Sequence, residues 1–229
     1  MLYGLLASVF FYTLIALSLA ELSSALPSSA NVYHWASISA GRYGKLLSFY
    51  AGWWNCLAWI FGASSASLMA AQSIIAMYSI YHPDYAPQRW QIFIIFVVVT
   101  WGCLSLILFG QRVLAKIATG MGISLLLIWF VTTMVIAIVP SQTKEGYASN
   151  AFVWTDFQNL TGWSSNGLVF VMAILNGAYA IGTPDGVCHM CEELPNPRKN
   201  IPLGILSQMT TGTITTLAFY IVAVSASAL

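Results

Sequence analysis

Six stretches of this chain are each long and apolar enough to cross a bilayer, which narrows the folds open to it. A helix crossing about 30 Å of hydrocarbon needs roughly 20 apolar residues. The runs at 2–21, 47–79, 91–110, 114–139, 166–192 and 203–229 meet that length. Of the 229 residues, 59% are hydrophobic and only 7% charged, where a soluble domain carries roughly 25% charged residues. Period-two alternation is sustained nowhere, so strands do not compete. The expectation is an all-α polytopic membrane protein, with residues 1–229 forming one transmembrane domain. The second run is long enough to tilt or to extend beyond the bilayer.

Lysine and arginine set the orientation. If the first run ends in the cytoplasm, the inside loops hold Arg42, Lys45, Arg112, Lys116, Arg198 and Lys199. The outside loops then hold Arg89 and Lys144, beside Asp84, Glu145 and Asp156. That bias follows the positive-inside rule and puts the N-terminus outside. One further helix before Met1 would reconcile this with the lack of a cationic leader, which also argues against a signal peptide. Trp90, Trp154 and Trp163 stand near run ends, as interfacial anchors do. Asn159-Leu160-Thr161 is a glycosylation sequon in a loop assigned outside.

The fifth run contains an interruption. Asn176 to Pro202 reads N-G-A-Y-A-I-G-T-P-D-G-V-C-H-M-C-E-E-L-P-N-P-R-K-N-I-P. Two glycines, a proline and a carboxylate fall within Gly182-Thr183-Pro184-Asp185-Gly186. Proline removes a backbone donor and glycine weakens helix. Backbone broken at membrane depth must be buried in protein or line a cavity. An intramembrane acid such as Asp185 commonly marks a substrate or ion pathway. Asp185 is also placed to cap a helical run beginning near Gly186, and a plain kink without ligand is the bland reading. If the upper half ends near Tyr179 to Ile181, its carbonyls are free to meet a cation. The amide end of the lower half would favour an anionic group. A zwitterionic or cationic small molecule suits such a pair of ends.

Other features carry less chemistry. Cys188-His189-Met190-Cys191 has the spacing of a metal-binding pair, but no second Cys/His pair lies nearby to complete four ligands. Neither a metal nor a cofactor is expected, and Cys56, Cys103, Cys188 and Cys191 do not make a disulfide framework. Nothing in the sequence around His189 marks a proton relay. No nucleophile elbow, phosphate loop or carboxylate pair is present, which disfavours an enzyme, and no basic run suggests nucleic acid. Glu21 to Lys45 is too polar to span; Tyr33, His34 and Trp35 suggest a short element packed on the bundle or an interfacial loop. In the second run, Asn55 needs a hydrogen-bonding partner in hydrocarbon. Gly62-Ala63-Ser64-Ser65 sits near mid-membrane, where small residues serve close packing or face a cavity. Lys116 is placed to snorkel at the cytoplasmic entry.

Three ordered motifs give the chain a relation. E-L-S-S-A-L-P-S-S at Glu21–Ser29 with V-Y-H-W-A-S at Val32–Ser37 resembles the loop after the second helix of amino acid–polyamine–organocation transporters. A-G-W-W-N at Ala51–Asn55 is similar to the third helix of the fungal amino-acid, GABA and choline permease branch. G-T-P-D-G-V with E-E-L-P-N-P-R-K-N-I-P is similar to that branch's sixth helix and following loop. The resemblance implies a five-plus-five inverted repeat with the first and sixth helices broken around a central site. By that register the chain holds helices two to seven. Carried over by position, Tyr179, Ala180, Ile181, Gly182, Thr183 and Asp185 would border substrate, and Gly62, Ala63, Ser64 and Ser65 would approach it. The implied function is secondary transport of an amino acid, GABA or choline, with a coupling proton, in the plasma membrane or alternatively the vacuolar membrane. Cation–π contact with tryptophan and tyrosine would suit choline. The alternative is a truncated, non-transporting membrane protein with a binding or assembly role.

Overall fold

The structure is a computed structural model that describes residues 2–142, 146–157, 159 and 161–226. Lys144 and Glu145 of the outside loop, and Leu160 of the sequon, lie outside the described residues. Helices run over α1 (Leu2–Ala25), α2 (Asn31–Ser39), α3 (Gly44–Tyr81), α4 (Arg89–Phe109), α5 (Gln111–Gln142), α6 (Asn150–Trp154), α7 (Asn166–Ile181) and α8 (Pro197–Ala226). A 3-10 helix, Pro184–Met190, continues the line of sequence after α7. Among the described residues, six spans are long and apolar enough to cross a membrane, with α7 and the 3-10 helix together forming the fifth. The fold is all-α, as the apolar runs imply.

The helices outrun the apolar stretches, because backbone hydrogen bonding continues into the interface. The first helix reaches Ala25, where the apolar run ends at position 21. The last begins at Pro197, a turn and a half before the expected start at 203. Proline suits the first helical position, where its missing N–H has no intrahelical partner. Pro202 therefore lies inside α8 and removes one backbone bond without ending the helix. In α4, Gln88 and Gln91 cap each other's backbone, which starts the helix at Arg89.

The chain divides into two compact units, one of residues 1–44 with 125–229 and the other of residues 45–124. In the first, α1 lies along α7 and α8. Glycine makes the α1–α7 contact close. A β-carbon at Gly4 would fall 2.9 Å from the Ala173 carbonyl carbon, and one at Gly177 would fall 2.9 Å from Leu5 Cα. Across this seam the Ser8 hydroxyl donates to the Ile174 carbonyl at 2.6 Å. Such small-residue packing with a hydroxyl bond is how apolar helices associate without a hydrophobic drive between them. The core gathers Leu5, Ala16, Ala20, Trp35, Ile181, Cys188, Ile201, Ile205 and Met209. α6 is tied in by Tyr3, whose hydroxyl donates to the Trp154 carbonyl at 2.9 Å.

α2 is the packed element expected between the first two spans. Its Trp35 is buried and donates Nε1–H to the Leu26 carbonyl at 2.9 Å. Tyr33 is exposed and His34 half-buried, so of the three aromatic-type residues only Trp35 anchors it.

The second unit holds nearly all of α3, with α4 and the first part of α5. At its α3–α4 turn, Tyr78 stacks on His82 at 4.1 Å and meets Tyr85 edge-on at 4.9 Å. The Tyr85 hydroxyl donates to Gln91 Oε1 at 2.6 Å. Beside this turn is an open cleft of about 430 Å³ lined by Ile74, Tyr78, Trp90 and Ile94.

Candidate substrate site at the helix break

α7 ends at Ile181 for a local reason. A β-carbon at Gly182 would sit 2.7 Å from the Ala178 carbonyl oxygen, so only glycine allows the chain to turn that tightly. Thr183 then takes the left-handed conformation, φ 61°. That is an uncommon place for a β-branched residue. Its hydroxyl donates to the Gly182 carbonyl at 2.7 Å, and its own carbonyl accepts from Gly186 N–H and from Gln208 Nε2 on α8, each at 3.2 Å. Pro184 starts the 3-10 helix at a position that suits proline.

Two expectations change here. The cap position is taken by Thr183, whose side chain makes no capping hydrogen bond, and Asp185 lies within the first turn. The lower segment is also seven residues of 3-10 geometry. It is a shorter stack of peptide dipoles than the half-helix expected, and its Gly186 N–H is already bonded to Thr183. The amide end thus offers an anionic group less than the sequence suggested. The carbonyl end keeps its chemistry, since the last four carbonyls of a helix have no intrahelical donor.

The expected site residues divide by environment. Tyr179, Ala180 and Thr183 are exposed, Gly182 and Asp185 are half-buried, and Ile181 is buried in the core. What Ile181 can present to a ligand is its backbone carbonyl. Gly62, Ala63, Ser64 and Ser65 belong to the other unit, on uninterrupted α3. A β-carbon at Gly62 meets nothing within 4 Å, and the Ser64 hydroxyl donates to the Ile60 carbonyl of its own helix at 2.9 Å.

A polar cluster that sequence reasoning missed lies where the 3-10 helix meets the α1–α2 connection. His189 Nε2 is 3.6 Å from Asp185 Oδ2, an i,i+4 pair. His189 Nδ1 is 3.3 Å from the Ser29 carbonyl oxygen. Asn31 Nδ2 donates to the Asp185 carbonyl at 3.3 Å and lies 3.4 Å from His189 Nε2. The Ser29 hydroxyl donates to the Glu192 carboxylate. Asn31 takes φ 49°, which asparagine tolerates, and is fully buried. Among the described residues, its Oδ1 is the buried side-chain polar atom with no hydrogen-bond partner. His189 therefore has partners, contrary to the sequence reading. The i,i+4 spacing to Asp185 was the signal available for one of them.

The Cys188–Cys191 pair is buried and reduced. Burial, then the neighbouring Glu192 carboxylate, raises the Cys191 thiol above its ordinary range. Among the described residues, no group of three or more His, Cys, Asp or Glu side chains is placed to hold a metal ion. Asn159 is held within its loop: Nδ2 donates to the Trp163 carbonyl at 2.6 Å, and Oδ1 accepts from the Thr161 hydroxyl at 2.8 Å.

A helix broken inside a membrane span, on a chain with these ordered motifs, asks for a comparison with known proteins. The family model for amino acid permeases matches residues 1–229. The chain belongs to the amino acid permease family. It is an integral, multi-pass membrane protein, and its family is one of permeases and not of enzymes. It is 26% identical over 220 residues to the choline transporter of Saccharomyces cerevisiae, covering 96% of this chain and 38% of that protein. It is 28% identical to an uncharacterized amino-acid permease of Schizosaccharomyces pombe, covering 93% and 38%. The GABA-specific permease of Saccharomyces cerevisiae is 26% identical, with 90% and 37% covered. This permease chain thus spans less than two fifths of the length of these relatives. No solved structure matches it.

Proposed function

We propose that this chain forms part of a secondary transporter for small amino compounds, working by alternating access around the break at Gly182–Gly186. The observation that carries the reading is Thr183, held left-handed between two helical stretches of one membrane span. Irregular backbone at that depth is tolerated where it is buried or lines a cavity. Discontinuous helices are how transporters place polar backbone at a midplane site. Tyr179, Ala180, Ile181, Gly182, Thr183 and Asp185 are the proposed substrate contacts. The helix-end carbonyls suit an ammonium group and the exposed Tyr179 ring suits a quaternary one. The relatives named for choline, GABA and amino acids support these three substrate classes. A role for Gly62, Ala63, Ser64 and Ser65 rests on the resemblance alone, as do the coupling proton and the plasma or vacuolar membrane.

The test is uptake of labelled choline, GABA and amino acids by yeast lacking its own carriers. The chain is expressed as it stands, and also exchanged for the corresponding segment of the Saccharomyces choline transporter. Saturable uptake by either protein, reduced at least tenfold by the double change Gly182→Ala with Asp185→Asn at equal surface expression, is the expected result. Normal uptake by the double variant would sink the proposed site.

A further inference from the structure

His189 stands between partners of opposite hydrogen-bonding sense. Its Nδ1 lies 3.3 Å from the Ser29 carbonyl oxygen, an atom that only accepts, so Nδ1 carries a hydrogen in either charge state of the ring. Nε2 faces the Asn31 amide nitrogen, a donor, at 3.4 Å and the Asp185 carboxylate, an acceptor, at 3.6 Å. A neutral ring with its hydrogen on Nδ1 presents a lone pair at Nε2 and takes the Asn31 amide. A protonated ring presents N–H there and takes the carboxylate. One proton therefore exchanges the partner of this ring.

The exchange matters because Asn31 has little to fall back on. The same Nδ2 holds the Asp185 carbonyl at 3.3 Å, while Oδ1 is buried without a partner. Once Nε2 bears a hydrogen, the amide loses an acceptor. The amide meets the protonated ring again only by turning Oδ1 to accept from Nε2–H, which takes Nδ2 off the Asp185 carbonyl. We propose that His189 is a proton-binding switch: protonation moves Nε2 from Asn31 to Asp185 and loosens Asn31 from the broken helix. The proton comes from water, and the new positive charge is balanced by the Asp185 carboxylate.

The elements around the ring carry other charged or titratable groups. These are Tyr3, Tyr12 and Glu21 on α1, Tyr33 and His34 on α2, Tyr220 on α8, and Cys188 on the 3-10 helix itself. Cys191, Glu192 and Glu193 follow it, and Arg198 and Lys199 begin α8. Glu192 holds the Ser29 hydroxyl and Nδ1–H keeps the Ser29 carbonyl, so both ties at Ser29 survive protonation and the ring's tie to Asn31 is the one lost. The ring side chain is 35% exposed, so protons reach it without unfolding.

The test uses the full chain in nanodiscs with 15N-labelled histidine. The chain has three histidines, so His34→Gln and His82→Gln assign the His189 signals. As the sample is acidified from pH 8, His189 is expected to pass from the neutral Nδ1–H form to the doubly protonated one. Over the same acidification deuterium exchange of the 28–33 backbone, corrected for intrinsic pH dependence, is expected to rise at least threefold. In His189→Gln the corrected exchange stays flat. A neutral Nε2–H form at pH 8, or an undiminished step in His189→Gln, overturns the proposal. The tautomer decides even if that variant does not fold. A consequence for transport rests on the reading above and is measured separately, as uptake after acidifying the cytoplasm. Loss of that effect with the spectroscopic switch intact counts against the transport reading only.

Discussion

Gly177 and Gly62 look alike in the sequence, each a small residue inside a long apolar helix, and their surroundings differ. A β-carbon at Gly177 would lie 2.5 Å from the Ser8 hydroxyl and 2.9 Å from Leu5 Cα. One contact is backbone, which cannot step aside. Gly177→Ala should destabilise by about 1–3 kcal/mol, the usual range for overpacking. Gly62 meets nothing within 4 Å, so Gly62→Ala should be neutral or stabilise by up to about 1 kcal/mol through helix propensity. Denaturation midpoints of the two variants in matched micelles check the contrast, and equal shifts would refute it. The sequence showed where glycines stood but not which of them faced a backbone, because that depends on a helix more than 160 residues away.

At the scale of elements, the break was legible and its form was not. Gly182 and Pro184 cannot sit within regular helix without loss, so an interruption followed from residue types alone. The lower part is 3-10 helix following a left-handed Thr183, whose carbonyl accepts from Gln208 of α8, a contact no local pattern announces. α2 shows the same division. Its aromatic composition left a packed element and an interfacial loop both open, and tertiary contacts made Trp35, not Tyr33, the anchor. Trp35→Ala removes a buried ring and leaves the Leu26 carbonyl without its indole donor. We expect a loss of about 3–5 kcal/mol. It should appear as faster proteolysis between Ala25 and Asn31, with Trp35→Phe intermediate. Unchanged cleavage would show that α2 is held by other contacts.

At the scale of the whole molecule, topology rests on the distribution of lysine and arginine across six spans. Single cysteines at Ser37, Arg112 and Lys199, in a chain otherwise lacking cysteine, should react with an impermeant maleimide only after the cells are permeabilised. A cysteine at Asp84 should react in intact cells. The reverse pattern would invert the orientation and place the His189 cluster outside. The chain belongs to the amino acid permease family, and the relatives are more than twice as long as this chain.

By itself the sequence determined the solvent, the number of spans and the place of the break. Those follow from local properties: apolar length against bilayer thickness, and residues that helices cannot absorb. Only the tertiary structure decided which side chains meet at the break. His189 pairs with Asp185 across one turn, a spacing any helix supplies, but its contacts to Ser29 and Asn31 join residues 160 and 158 positions apart. No pattern along a chain encodes a meeting at that distance. It is set by α1 packing on α7 through glycine and serine, and on α8, which brings the α1–α2 connection onto the broken helix.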